Sequence, residues 1–153
     1  MIDKIEQKET EGRSATEETL RPWYIMAFTK GKSDRLDIYL TAITDSGKTY
    51  CGDIKSYLDP YHPRPIDKYP TYMADYDKLR VIKKTALNEG RIPILIAVTP
   101  DYLYIWNLFE SNWERTCEWR KVNKTAIRYG EKEWELMAHL SLRDAHKIKR
   151  YLS

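Results

Sequence analysis

Residues 35–55, RLDIYLTAITDSGKTYCGDIK, read as two strands joined by a short turn. Polar and apolar residues alternate along residues 37–43, which is the period of a half-buried strand. Asp45-Ser46-Gly47 is the turn signal, and Gly47 suits the left-handed position of a three-residue hairpin loop. If Thr44 pairs with Lys48 across that loop, the register of the whole hairpin follows.

That register places three charged residues together. Asp37 lies opposite Lys55, and Asp53 is its diagonal neighbour at roughly 7–8 Å between Cα atoms. The two-residue period puts all three on the same face of the hairpin. Carboxylate oxygens are the ligands that Mg²⁺ selects, and a nearby lysine can orient a water or neutralise phosphate charge. The set suits metal-assisted phosphodiester hydrolysis, although a solvated surface hairpin also commonly carries Asp and Lys.

Length and composition indicate one domain. The 153 residues suffice for a proper core, no apolar run approaches a membrane span, and the first twenty residues lack a signal peptide's apolar segment. Cys51 and Cys117 fit no metal spacing and favour a reducing compartment. We therefore expect a soluble, cytoplasmic protein.

Charge is unevenly distributed along the chain. The net charge is +3, but the first twenty residues hold six acids and three bases, which leaves +6 on the rest. A mildly basic body is compatible with nucleic-acid binding. Twelve tyrosines and five tryptophans against two phenylalanines are typical of half-wet recognition faces.

The N-terminal part predicts an arm followed by a short helix. Residues 1–13 read as a flexible arm or a frayed helix, and residues 14–153 as the single domain. Ser14 with Glu17 forms a capping-box pattern that starts a short helix ending near Pro22. Residues 23–28, WYIMAF, read as a buried strand.

Beyond the hairpin, the chain predicts an excursion and then a covered sheet. Residues 59–72 hold four prolines and read as a long excursion at the rim of the site, or as a disordered insertion. Residues 75–89 form the best helix, which stops at Gly90. Residues 93–99 are a strand covered on both faces, and residues 102–108 are an aromatic strand.

The C-terminal third is less uniform. Residues 110–123, with Trp113 and Trp119, read as an edge strand or an ordered loop, and residues 124–130 have no assignment. Residues 133–140 alternate as a strand, and Ser141 opens a predicted final helix.

This order of parts resembles the PD-(D/E)xK nuclease superfamily, and more narrowly the small nuclease-like proteins of phages and bacterial mobile elements. The resemblance covers about residues 16–153 and is most specific over residues 34–108. Its motifs are Asp34-Arg35-Leu36-Asp37, Asp53-Ile54-Lys55, Tyr76-Asp77-Lys78, the apolar strand of residues 90–98, Trp106-Asn107-Leu108 and Lys124-Thr125. The fold that it implies is α/β, a restriction-endonuclease-like core with a central mixed β-sheet flanked by helices. One departure is that Asp53 stands where many relatives have glutamate.

The resemblance also implies roles for single residues. Asp37 and Asp53, with the backbone carbonyl of Ile54, would bind Mg²⁺ or Mn²⁺, and Lys55 would act on the attacking water or the transition state. A helical acid would complete the metal site, with Glu18 as the first choice and Glu17 as the competitor. Contacts to DNA would come from Lys78, Arg64, Lys68 and Tyr72.

The sequence and the resemblance leave three alternative functions open. The first is a metal-dependent DNA endonuclease in a bacterial or phage-infected cell, which could work as a homodimer. The second is an inactive, nuclease-derived DNA-binding protein. The third is a phage accessory protein that binds a protein partner through the segment around Trp113 and Trp119.

Overall fold

A computed structural model describes residues 4–29, 36–44, 46–58, 66–123 and 132–151. Within these ranges the chain forms two α-helices and nine β-strands, in an α/β arrangement with a mixed central sheet. The helices are α1 (Lys4–Leu20) and α2 (Tyr76–Glu89). The strands are β1 (Tyr24–Phe28), β2 (Ile38–Ala42), β3 (Thr49–Ser56), β4 (Thr71–Asp75), β5 (Ile92–Val98), β6 (Tyr102–Asn107), β7 (Cys117–Asn123), β8 (Lys132–Ser141) and β9 (His146–Lys149). No helix in these ranges is long and apolar enough to cross a membrane.

The main sheet has six strands in the order β1-β2-β3-β5-β6-β9. All neighbours are antiparallel except β3 and β5, which are parallel and are connected through β4 and α2. Residues 93–98 of β5 are fully buried, as the continuous apolar run predicts. β1 is a strand as predicted, but it lies at the edge and is only half-buried on alternate residues.

Two apolar layers cover the main sheet, one on each face. On one face, Ala15 and Leu20 of α1 pack with Ile38, Ile94 and Ile96. The other face packs against α2 and a second sheet, and its cluster includes residues from both. That cluster contains Cys51, Leu79, Ile82, Leu95, Trp106, Trp113, Ala138 and Leu140. The predicted central sheet with a helix on each face is therefore present.

The register of the hairpin differs from the predicted one by two residues. Ile38 pairs with Gly52, where the predicted register would place Ile54, and the Asp37 amide also donates to the Gly52 carbonyl, so Asp37 does not lie opposite Lys55. The loop is longer than predicted: the last bond across it runs from the Ala42 amide to the Lys48 carbonyl, and the Ile43 amide donates to the Trp23 carbonyl beside β1. The loop thus spans five residues, 43–47, and Gly47 keeps the expected left-handed conformation with φ +56°. A two-residue shift leaves every side chain on its original face.

The N-terminal helix is longer than predicted. It starts at Lys4, so the expected arm over residues 4–13 is helical and Ser14 lies inside the helix instead of capping it. Tertiary packing explains this, because Gly12 is buried against β3. A Cβ at Gly12 would lie 2.9 Å from the Ser56 Cβ, so glycine permits this close approach.

The predicted C-terminal helix is wrong beyond its first turn. Ser141 does cap a turn, with its hydroxyl accepting from the Arg143 amide at 3.3 Å. That turn is a short 3-10 helix over Leu142–Asp144, and the chain then becomes strand β9. β9 pairs with β6 along an edge of the main sheet, where Leu103 lies opposite Ile148.

The second sheet has the order β4-β8-β7. β8 is a strand and β7 an edge strand, as predicted. Part of the predicted excursion is instead strand β4, whereas residues 59–65 lie outside the described residues. Trp113 is fully buried and donates to the Leu108 carbonyl at 2.9 Å, so it cannot form the exposed contact surface considered above.

Candidate functional site

The backbone of Asp37 is held from both sides at the point where β2 begins. Its amide donates to the Gly52 carbonyl and its carbonyl accepts from the Thr29 amide, each at 3.0 Å. The carboxylate accepts from the Ile54 amide at 3.0 Å. Because the pairing of β2 with β3 stops at Ile38, this side chain takes the place of a strand partner for Ile54. The position of the carboxylate is therefore fixed by the sheet itself.

Asp53 lies next to this carboxylate at the floor of the site. Its exposed fraction is 5%, which is rare for an aspartate. Burial, and after it the negative charge of Asp37, raise the pKa of Asp53, which comes to about 6 overall. The positive charges of Lys78 and Lys55 and a hydrogen bond to the Asp37 backbone act in the opposite direction. The two carboxylates thus interact strongly and repel each other.

Lys55 and Lys78 meet on the same side of the sheet. Lys55 belongs to β3, whereas Lys78 lies in the first turn of α2, where the Asp75 side chain caps the helix. Burial, a hydrogen bond with Lys78 and the charge of Lys78 together lower the pKa of Lys55 to about 8. Burial opposes protonation of Lys78 too, but the hydrogen bond that it donates to Lys55 and the charge of Asp53 raise its pKa overall. Lys55 is therefore the more easily deprotonated of the two amines.

The charges of this group affect the pKa values of Asp53 and of both lysines, but they do not neutralise one another by direct contact. Among the described residues, no ion pair within 4.0 Å joins Asp37 or Asp53 to either lysine. Asp53 is buried, Asp37 and Lys55 are partly exposed, and Lys78 is exposed. The site therefore opens to solvent on the side of Lys78.

The donor set fits a divalent cation that keeps several of its waters. Asp37 and Asp53 are close enough for their charges to interact, and the Ile54 carbonyl points to the same edge of β3 as the Ile54 amide that binds Asp37. Mg²⁺ commonly binds through one or two carboxylates and completes its shell with water or phosphate oxygens. No group of three or more His, Cys, Asp or Glu side chains suited to a metal is found in the described ranges.

Comparisons with protein-family models, with curated proteins and with solved structures found no match. The functional argument therefore rests on the geometry of this chain.

Two of the predicted site residues lie away from the acid pair. α1 packs on the face of the main sheet that carries Ile54 and Ser56, whereas Asp53 and Lys55 point to the opposite face. Glu18, an exposed residue of α1, is therefore not a neighbour of the site, and neither is Glu17, which pairs with Arg21. The helical acid implied by the resemblance is not supplied by these residues.

The residues predicted to contact DNA lie in three different environments. Tyr72 is buried, stacks on Trp106 at 5.2 Å between ring centroids, and shares a hydroxyl hydrogen bond with Tyr57, so it cannot stack on bases. The cause is strand β4, whose two-residue period points Tyr72 into the core. Lys68 is exposed in a short 3-10 turn, and Lys78 lines the site. Arg64, Asp34 and Arg35 lie outside the described residues, as does Lys124-Thr125.

Gly52 is a site residue that the sequence reasoning missed. An ideal Cβ there would lie 1.7 Å from the Ile94 carbonyl oxygen of β5. The glycine therefore allows β3 and β5 to pair closely directly beside Asp53. A glycine inside an otherwise regular strand pattern was the available signal for such a close backbone approach.

Asp53→Asn is expected to raise the free energy of unfolding at pH 7.5 by about 1–3 kcal/mol, because a neutral amide avoids the cost of the buried carboxylate. The folded-state pKa is raised from 3.8 to about 6, so wild-type stability falls as the pH rises through this window. The advantage of the variant should therefore vanish near pH 4. Urea unfolding at both pH values measures this. Asp101→Asn, at an exposed position, should leave the free energy of unfolding unchanged at both pH values. An Asp53→Asn protein that is less stable than the wild type at pH 7.5 would contradict a destabilising buried charge at Asp53.

Proposed function

We propose that this protein is a metal-dependent DNA endonuclease with a restriction-endonuclease-like core. The order of elements supports this, because α1, the β1-β2-β3 meander, α2 and the strands β5 and β6 follow one another as the resemblance implies. Asp53 lies on β3 and Asp37 at the start of β2, near the middle of the main sheet. Lys78 lies on α2, the helix that leads into β5, which pairs in parallel with β3. The lack of a matching family or structure leaves the site as the main support.

The observation that carries the proposal is the buried carboxylate of Asp53 beside the like charge of Asp37. Asp37 and Asp53 are held side by side without an ion pair in the described part of the chain, and the pKa of Asp53 is raised mainly by burial and by Asp37. An ion network built only for stability would pair such charges directly, since an unpaired buried charge is costly. Perturbed acids and lysines that converge in this way are characteristic of catalytic sites.

The chain's own residues would divide the work as follows. Asp37, Asp53 and the Ile54 carbonyl would hold Mg²⁺ or Mn²⁺, which supplies Lewis-acid stabilisation of the phosphate and a more acidic water. The Lys55 amine would accept a proton from the attacking water, or as an ammonium would stabilise the negative charge that develops on the phosphate. The Lys78 ammonium would bind a phosphate oxygen of the DNA backbone, which positions the strand but reads no sequence.

Metal binding and cleavage, measured on the same variants, test the proposal. Calorimetry with Mn²⁺ should show binding to the wild type and at least about tenfold weaker binding to Asp37→Asn, which loses the charge but keeps an oxygen beside the Ile54 amide. Plasmid cleavage should depend on Mg²⁺ or Mn²⁺ and stop in EDTA. Asp75→Asn, at an acid that caps α2 outside the pair, should bind Mn²⁺ as the wild type does. Unchanged Mn²⁺ binding by Asp37→Asn would reject the metal assignment.

A second candidate is a DNA-binding protein without nuclease activity. It is favoured by the finding that α1 places Glu17 and Glu18 on the other face, which leaves only two carboxylates at the site within the described residues. DNA binding without metal binding or cleavage would establish this alternative.

A further inference from the structure

Strands β7 and β8 extend beyond the rest of the second sheet. β4 ends at Asp75, opposite Met137, so the part of β8 before Met137 has β7 as its strand neighbour and no longer pairs with β4. Residues 119–121 of β7, which pair with residues 134–136 of β8, form with them what we call the overhang. From Met137 to Trp134 the strand advances about 10 Å.

The apolar face of β8 passes from the core into solvent along the overhang. Ala138 and Leu140 are fully buried, and Leu136 on the same face is partly exposed. Trp134 follows with 64% of its surface exposed, and Trp119 of β7, opposite Leu136, is 66% exposed. Two large aromatic side chains thus stand side by side on a sheet face that the described part of the chain does not cover.

Charge is divided between the two faces of the overhang. Lys121 lies opposite Trp134 and shares the tryptophan face. Glu118 lies on the other face, where its carboxylate contacts the His139 ring at 3.0 Å and the Arg120 guanidinium at 3.5 Å. By the two-residue period, Glu135 also lies on that other face. The tryptophan face therefore offers aromatic rings and a cation without a competing carboxylate.

The tryptophan face is turned toward the side of the main sheet that carries the acid pair. Ala138 and Leu140 share one apolar cluster with Cys51, and Asp53 and Lys55 project from the same face of β3 as Cys51. The overhang also leaves the body where α2 begins, since Asp75 both ends β4 and caps the helix that carries Lys78. A strand bound by Lys78 can therefore continue toward the overhang.

We propose that the overhang binds unpaired DNA, with Trp119 and Trp134 stacking on bases and Lys121 contacting a phosphate. Aromatic rings beside a cation are the parts by which proteins hold single strands, because every base has a face that stacks. Duplex bases are already stacked on one another and offer nothing to these rings. The inference rests on the proposed function and narrows its substrate to DNA with a single-stranded segment near the cut.

Binding of a labelled oligothymidylate of about 15 nucleotides, measured by fluorescence anisotropy in EDTA, tests this inference without any cleavage. Trp119→Ala and Trp134→Ala should each weaken binding about tenfold, and the binding of a blunt duplex should not change. Lys121→Ala should lower the slope of log affinity against log salt by about 0.7. Arg120→Ala, which removes the same charge from the neighbouring residue on the other face, is the matched control and should leave that slope unchanged.

Two results would overturn the inference. One is equal binding of the single strand by the wild type and both tryptophan variants. The other is no binding by the wild type at low salt, which would assign the tryptophan face to a protein partner. The experiments distinguish failure of this inference from failure of the proposed function. If strand binding depends on the tryptophans but no metal-dependent cleavage occurs, only the nuclease proposal is rejected. If the protein cleaves DNA but both tryptophan variants bind the strand as the wild type does, only the role of the overhang is rejected.

Discussion

Lys55→Met is expected to lower the rate of metal-dependent DNA cleavage about a thousandfold. Methionine keeps an unbranched side chain of similar bulk in a partly buried position but removes the amine. Burial and Lys78 hold the pKa of that amine at about 8, so a substantial fraction is unprotonated near neutral pH and can accept a proton from water. Single-turnover cleavage of a plasmid at saturating Mg²⁺ measures the effect on chemistry separately from DNA binding.

The same assay has an internal pH test and a matched control. If the Lys55 amine acts as the base, the wild-type rate should rise with pH and level off above about pH 8, and the residual rate of the variant should lose this rise. Lys84→Met removes an ammonium from an exposed position of α2 and should cut at the wild-type rate. A Lys55→Met protein that cuts within a few fold of the wild type would remove Lys55 from the mechanism.

Gly52→Ala is expected to lower the free energy of unfolding by at least about 3 kcal/mol. The new Cβ would lie 1.7 Å from the oxygen and 2.7 Å from the carbon of the Ile94 carbonyl. These are backbone atoms of the parallel neighbour, so the clash cannot be relieved by a side-chain rotation, and β3 and β5 would have to separate. Urea unfolding gives the free energy, and circular dichroism reports how much of the sheet remains.

Gly47→Ala separates this steric effect from the ordinary cost of replacing a glycine. Gly47 has φ +56° but nothing within 4 Å of an ideal Cβ, so alanine there meets backbone strain and no clash. A loss of about 1 kcal/mol is expected. Equal losses for Gly52→Ala and Gly47→Ala would show that the β3–β5 contact is more yielding than its geometry suggests.

Elements with complete local signals could be predicted from the sequence. α2 is the clearest case, because Asp75 accepts from the amides of residues 77 and 78 and Gly90 adopts φ +68° at the end of the helix. β5 and β6 were predictable for a similar reason, since a continuous apolar run and an aromatic run are both bounded by turn residues. In these segments the decisive interactions are close in sequence.

Features decided by distant parts of the chain could not be predicted. The hairpin register depends on the Ile43 amide bonding to Trp23, and β9 forms because β6 offers it an edge. The burial of Tyr72 depends on β8, which follows it by some sixty residues. Local patterns at Ser14 and Ser141 resemble helix starts, but packing against the main sheet determined what those segments became.

In the candidate site, too, some features could be predicted from local sequence and others depend on distant parts of the chain. The two-residue period was enough to place Asp53 and Lys55 on one face of β3, because that period does not depend on the register of the hairpin. Asp37 lies just before β2, and its carboxylate reaches the Ile54 amide at the edge of β3, which the period could not predict. The contact of Lys78 with Lys55 depends on how α2 packs across β3, and the exclusion of Glu18 depends on which face α1 covers. Neither can be read from spacing along the chain.

The parallel pairing of β3 with β5 has a consequence for the order in which the site assembles during folding. Asp37 and Asp53 come from neighbouring antiparallel strands joined by a short loop, so they can meet as soon as that hairpin closes. Lys55 and Lys78 meet only after the chain has passed through β4 and α2 and the non-local β3–β5 ladder has formed. We therefore expect the acid pair, whose members are 16 residues apart, to form before the lysine pair, whose members are 23 apart. A partly folded chain would hold its carboxylates together before the cations that moderate their repulsion arrive.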